Sequence, residues 1–180
     1  MDIESIYKKI YSSNSSTEDS PLCKAASEGD LIKVKAYLPI ALKYINAQKL
    51  LSGMPPGVIQ TYETDDAFEL AAKNDHIHIM KHLLRFKCVH DFVFVVDDAI
   101  KNNKLNIIDF ILKNTNYDPS DIKNSDLKLA IKNKQYDIAN RLYLDDRVRK
   151  QPIPKYVLKH IKPEYLEKFK PVVDNSLPSL

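Results

Sequence analysis

The sequence predicts an all-α fold: a solenoid of about four degenerate helical repeats with helical caps at both ends. Three observations carry this. First, residues 65–84, DDAFELAAKNDHIHIMKHLL, read as two short helices back to back. Phe68, Leu70, Ala71 and Ala72 form the apolar face of the first, and Ile77, Ile79, Met80, Leu83 and Leu84 that of the second. Asn74, Asp75 and His76 between them are polar and turn-prone. Second, the pattern recurs more weakly at 20–38, 94–112 and 125–143. Aligned on the small residues Ala25, Ala71, Ala99 and Ala130, every copy carries an apolar residue at three further positions. Three before stand Leu22, Phe68, Val96 and Leu127; six after, Leu31, Ile77, Leu105 and Tyr136; nine after, Val34, Met80, Ile108 and Ala139. Third, three Gly and ten Pro leave almost no room for glycine-rich ligand loops and make proline the punctuation between elements.

Taken in order, residues 2–11 place Ile3, Ile6, Tyr7 and Ile10 on one helical stripe. The polar run 12–19 is a loop, and residues 1–19 together form a helix and linker that either covers the end of the array or hangs as an arm. The first repeat, SPLCKAASEGDLIKVKAYL, opens with Ser20 as N-cap and Pro21 at the first helical position, where its missing N–H costs nothing. Glu28, Gly29 and Asp30 turn the chain. Asn102-Asn103-Lys104 and Asn133-Lys134-Gln135 are the corresponding turns of the third and fourth copies. Between the first two copies lies an insert, 39–64, expected to hold a separate helix near 40–51 and a turn at Pro55-Pro56-Gly57. Residues 151–180 are expected to form two short capping helices, PKYVLKHI and PEYLEKF, with 171–180 frayed.

SPLCKAASEGD and LAAKNDHIHIMKHLL resemble the ankyrin repeat, whose pattern is a T-P-L-H-x-A-A helix, a G-H turn and an outer L-E-I-V-x-x-L-L helix. The resemblance spans residues 20–145, within a repeat region of 20–150. The Asn/Lys-rich copies look like those of large DNA viruses, amoebae and intracellular bacteria. The anchor spacings of 46, 28 and 31 residues depart from the family's period of about 33, and Lys33 stands where an apolar residue is usual. The resemblance implies stacked helix pairs and a non-enzymatic module that binds a partner protein on a concave face. Carried over position by position, its contact residues are Lys24, Glu28, Asn74, Asp98, Asn102 and Asn133. It also implies that His76 ties its turn to the backbone.

His76, His78, His82, His90 and Cys88 could suggest zinc, but two histidines at i, i+4 without further ligands do not make a site, and no metal or cofactor is expected. Cys23 and Cys88 have no disulfide-framework spacing and read as free thiols; Cys23 is expected to pack as a small hydrophobe. Nucleotide-binding and serine-hydrolase motifs are absent. Asp65-Asp66 and Asp145-Asp146 flank helix ends, whereas Asp97-Asp98 fall on an inner helix. In the cluster Phe86, Lys87, His90, Phe92 and Phe94, Phe94 is expected to be buried, and Phe92 stands as a further candidate contact.

The net charge of +3 is uneven: residues 147–180 carry eight Lys/Arg against three Asp/Glu. Arg147, Arg149, Lys150, Lys155, Lys159, Lys162, Lys168 and Lys170 are therefore candidate phosphate contacts, and nucleic-acid binding through this surface is one alternative function. Self-assembly as a structural protein is the other. The N-terminus lacks a secretory pattern and the longest apolar run, 92–96, is too short to span a bilayer. A cytoplasmic protein, or one in a host cytoplasm or nucleus, is the resulting expectation.

Overall fold

The computed structural model describes residues 2–12, 19–52, 62–87, 89 and 91–174. Two compact units divide the chain, Met1–Asp91 and Phe92–Leu180. Among the described residues both are helical, with one two-residue parallel bridge in the second.

The first unit contains α1 (Ile3–Ser12), α2 (Pro21–Glu28), α3 (Leu31–Ser52), α4 (Tyr62–Lys73) and α5 (Ile77–Leu84). Helix α2 packs on α3 and α4 packs on α5, so each repeat is a helix pair. The pairs stack, α2 on α4 and α3 on α5. The second unit repeats the plan with α6 (Val93–Lys101), α7 (Leu105–Asn114), α8 (Asp121–Lys132) and α9 (Tyr136–Tyr143). There α6 packs on α7 and α8 on α9, while α6 meets α8 and α7 meets α9. Arg141 of α9 pairs with Asp109 of α7 across the outer layer.

The four anchor alanines are buried, as are Leu22, Phe68, Val96 and Leu127 before them and Val34, Met80, Ile108 and Ala139 after them. Removing these side chains from water is the main force closing each pair. The shared backbone of the turns is more specific. Gly29, Asp75, Asn103 and Lys134 all take the left-handed conformation, with φ of 75°, 61°, 57° and 59°. The next N–H, of Asp30, His76, Lys104 and Gln135, donates to the carbonyl of the anchor alanine at 3.0, 2.8, 2.8 and 2.9 Å. Each left-handed residue also donates to the carbonyl after the anchor: Ala26, Ala72, Ile100 and Ile131, at 3.3, 3.2, 3.3 and 3.0 Å. Four helices thus end in the same paired closure, which satisfies carbonyls that a helix terminus leaves open.

Several details differ from the sequence reading. The break expected at Pro39 is not there: α3 runs unbroken for 22 residues with Pro39 inside it. Val34, Leu38, Ala41 and Ile45 are buried along one stripe that passes through the proline, so packing continues where the local signal says stop. Pro39 itself is exposed, which puts the hydrogen bond it cannot make on the solvent side. The described parts of the 39–64 insert belong to the ends of α3 and α4. The 55–57 turn lies outside the described residues.

Helix α1 is a cover, packed on α3. Tyr7 is fully buried and its ring stacks on Tyr44 with centroids 5.9 Å apart. Tyr44 Oη donates to the Glu4 carbonyl at 3.2 Å, and Lys43 pairs with Glu4 at 3.1 Å.

The C-terminal end is also tied down more than predicted. After α10 (Asp146–Lys150) come β1 (Ile153–Pro154), α11 (Lys155–Leu158), α12 (Pro163–Lys168) and β2 (Val173–Asp174). Residues 171–174 return to the fold: β2 pairs with β1, and Ile153 N donates to Val172 O at 2.7 Å. Buried Asn140 accepts from Lys162 N at 2.8 Å, Tyr143 Oη donates to Phe169 O, and the Arg149 guanidinium lies 4.1 Å above the Phe169 ring.

Candidate binding surface

The predicted contact residues divide into separate structural roles. Lys24 and Glu28 line a small cavity of about 270 Å³ in the first unit, with Pro21, Lys33 and Tyr37. Glu28 pairs there with Lys33 at 3.3 Å. The three asparagines are caps. Asn74, Asn102 and Asn133 each donate Nδ2 to the carbonyl four residues earlier, of Leu70, Asp98 and Leu129, at 2.9, 3.0 and 2.9 Å. Asn102 also donates to the Asp98 carboxylate at 3.0 Å, and Asn74 to Ser27 Oγ at 3.3 Å. Part of the polar capacity assigned to a partner is therefore used on helix ends.

Phe92 is a correction. It is 8% exposed, while Phe94, expected to be buried, is 66% exposed. Phe92 leads the buried stripe Val95, Val96 and Ala99 at i+3, i+4 and i+7; two residues further on, Phe94 points off that stripe.

The larger feature lies in the second unit. An open groove of about 730 Å³ runs along α6 and α8, lined by Asp97, Ser125, Asp126, Lys128, Leu129, Ile131, Lys132 and, from α11, Tyr156. Asp97 is one of the two inner-helix acids noted in the sequence. Asp126 is 5% exposed and receives the Tyr117 hydroxyl on Oδ2 at 2.7 Å. Burial pushes its carboxyl up to about 6, against the pull of the Tyr117 hydrogen bond, and the charges of Asp97 and Asp121 add to the rise. Burial and the same carboxylate hold the Tyr117 phenol well above its ordinary range. Asp97 has Lys101 at 3.7 Å, one turn away and more than half exposed.

Asp126 had a signal in the sequence. Counted from the anchors, its position is Ala67 in the second copy and Val95 in the third, both buried. A carboxylate at a core register is the kind of conflict that marks a site. Tyr156 belongs to the capping segment PKYVLKHI and reads in the sequence as a residue covering the last repeat; its place in the groove lining comes from the packing of α11 on α8.

The remaining candidates settle as follows. His76 Nε2 lies 3.0 Å from Ser27 O, the turn-tying role implied by the resemblance, and His78 Nε2 lies 3.1 Å from Gly29 O. His82 is held below its ordinary value by burial and by Lys35 and Arg85. Cys88 and His90 lie outside the described residues. Cys23 is buried, its Sγ 3.5 Å from the Glu63 carbonyl. Asp145 caps α10 by accepting from Arg147 N at 3.0 Å. Arg147 reaches Tyr117 O at 2.8 Å and Asp145 Oδ2 at 2.8 Å, and Arg149 holds the Tyr143 and Leu144 carbonyls at 3.1 and 2.6 Å. Arg147 and Arg149 are thus engaged in the fold, and Lys168 Nζ lies 5.2 Å from the centroid of the Phe169 ring; Lys150, Lys155, Lys159, Lys162, Lys168 and Lys170 are exposed.

Comparison with protein-family models, curated proteins and solved structures gave no match. Among the described residues no helix is long and apolar enough to cross a membrane.

Proposed function

We propose that this chain is a degenerate ankyrin-like repeat protein, and that it works as a non-enzymatic module binding a partner protein along the flank of α6 and α8. The observation that carries the reading is the groove itself. It is open and mixed in chemistry: Leu129, Ile131 and Tyr156 supply apolar surface, and Asp97, Lys128 and Lys132 supply charge at the sides. Rigid inner helices present it, so little ordering entropy is lost when a partner docks. The shared turn closure and the inner-on-inner, outer-on-outer packing support the ankyrin-like assignment.

The non-enzymatic part is this reading's own. Of the groove's hydroxyl-bearing residues, Ser125 and Tyr156, Ser125 Oγ is 3.4 Å from the Asp121 carbonyl and 3.4 Å from Asp126 Oδ1. A cytoplasmic module of this type would act by occupying its partner.

The test is capture from lysate by the full chain, compared with an Asp97→Lys, Lys132→Glu variant. A specific protein retained by the parent and lost in the variant supports the reading. Recovery of nucleic acid that weakens steeply with salt would move the function to the exposed lysines of the C-terminal end. Concentration-dependent size in light scattering, with no foreign protein held, would move it to self-assembly.

A further inference from the structure

We propose that the α6–α8 groove receives an extended peptide segment of the partner and that the segment inserts one arginine side chain against Asp126. This rests on the protein-binding reading above and narrows it to a ligand chemistry.

The argument is one of complementarity. Asp126 is a nearly buried carboxylate whose Oδ2 accepts from Tyr117 at 2.7 Å and whose Oδ1 accepts from Ser125 Oγ at 3.4 Å, which leaves lone pairs on both oxygens for further donors; Asp97, paired with Lys101 at 3.7 Å, also lines the groove. The lining cations, Lys128 and Lys132, stand one turn apart on α8, half-buried and exposed respectively. The groove therefore has one buried acid, Asp126, and more exposed charges of both signs, Asp97, Lys128 and Lys132. A guanidinium suits the buried acid better than an ammonium does. It is weakly hydrated, forms two parallel hydrogen bonds to a carboxylate, and stacks on an aromatic face such as Tyr156 while its stem lies on Leu129 and Ile131. Acidic residues flanking that arginine would meet Lys128 and Lys132.

Phe94 extends the surface. It occupies the register of Ser125 on the neighbouring helix, five residues before the anchor, and shares the stripe of Asp97 and Lys101. A ring 66% exposed on the stripe that carries Asp97 gives an apolar residue of the segment a place to pack.

The probe is a set of seven-residue peptide pools, acetylated and amidated, with random flanks and a fixed central Arg, Lys, citrulline, Leu or Glu. Each pool is passed over the immobilised full chain. The Arg pool should be retained about tenfold more than the citrulline pool, the scale of one charge-assisted contact. That preference should vanish in Asp126→Asn, whose amide oxygen can still accept from Tyr117, and should persist in Lys33→Glu in the other unit. The melting transition of each variant reports that it is folded. Equal retention of all pools, preference for Glu, no retention at all, or an Arg preference unchanged in Asp126→Asn overturns the proposal. A partner protein captured through the groove without any Arg preference leaves the binding-module reading standing and removes only this one. Failure of both capture and peptide preference removes both.

Discussion

The imidazole of His76 lies directly over the α-carbon of Gly29. A Cβ built at residue 29 would stand 2.7 Å from Cε1, 2.8 Å from Nδ1 and 2.9 Å from Nε2, on a backbone with φ +75°. Two separate constraints therefore exclude a side chain there: the left-handed backbone and the ring. Gly29→Ala should destabilise the protein by about 2 kcal/mol or more, of which about 1–2 belongs to the backbone. Adding His76→Ala removes the collision and leaves the backbone strain, so the double variant should be less destabilised than the two single costs summed. Urea midpoints for the three variants measure this, and strict additivity would count against the ring contact.

Lys134 holds the same left-handed position in the fourth copy, without glycine's freedom or the local side-chain bonds of Asn and Asp. Lys134→Gly should stabilise by about 1 kcal/mol, and Asn103→Gly by less. A thermal melt of each variant separates the two. An equal gain at both sites would mean that the residue type does not set the strain.

The Asp126 carboxyl is raised to about 6 in the fold. In the unfolded chain it titrates near the ordinary value of about 3.9. Between those values the folded state binds the extra proton, so stability falls as pH rises from about 4 through about 6 and levels off above. The loss at neutral pH is on the order of 3 kcal/mol. Asp126→Asn should therefore melt higher than the parent at pH 7.5, with the gap closing towards pH 4. A gap that widens on acidification would reverse the sign of the argument.

Asn140 is 5% exposed and works at both ends: Nδ2 donates to Tyr136 O at 2.7 Å while Oδ1 accepts from Lys162 N. Asn140→Leu leaves that amide without its acceptor and should cost about 2 kcal/mol. The Lys162 and Phe169 amides should exchange with solvent much faster, whereas amides in α4 and α5 should keep their rates. Uniform acceleration through the chain would show a global effect instead of release of the C-terminal end.

The repeat was legible because its two signals are local. The apolar offsets from Ala25, Ala71, Ala99 and Ala130 and the polar triplets that follow them are both visible in the letters. Three things were hidden for physical reasons. An exposed asparagine at a helix end reads the same whether it faces a partner or caps a carbonyl, so Asn74, Asn102 and Asn133 were all assigned to contacts. Pro39 carries a stop signal that the buried stripe of α3 overrides. Phe92 and Phe94 are two residues apart, a 200° turn on a helix, so a small error in where α6 starts exchanges the buried ring for the exposed one. Of the groove, Asp97 was noticed as an inner-helix acid; Asp126 needed the comparison with Ala67 and Val95.

The closure of the four turns is made of N–H and C=O groups alone. Every residue but proline owns both, so substitutions in the triplets can accumulate without opening the corner. Glu-Gly-Asp, Asn-Asp-His, Asn-Asn-Lys and Asn-Lys-Gln trace one path in space with little spelling in common. Corners built this way let the letters of one copy drift from those of the next while each helix pair still closes, and the side chains at each corner become free to acquire separate tasks: a glycine that admits a ring, a histidine that pins the neighbouring turn, a lysine that tolerates strain.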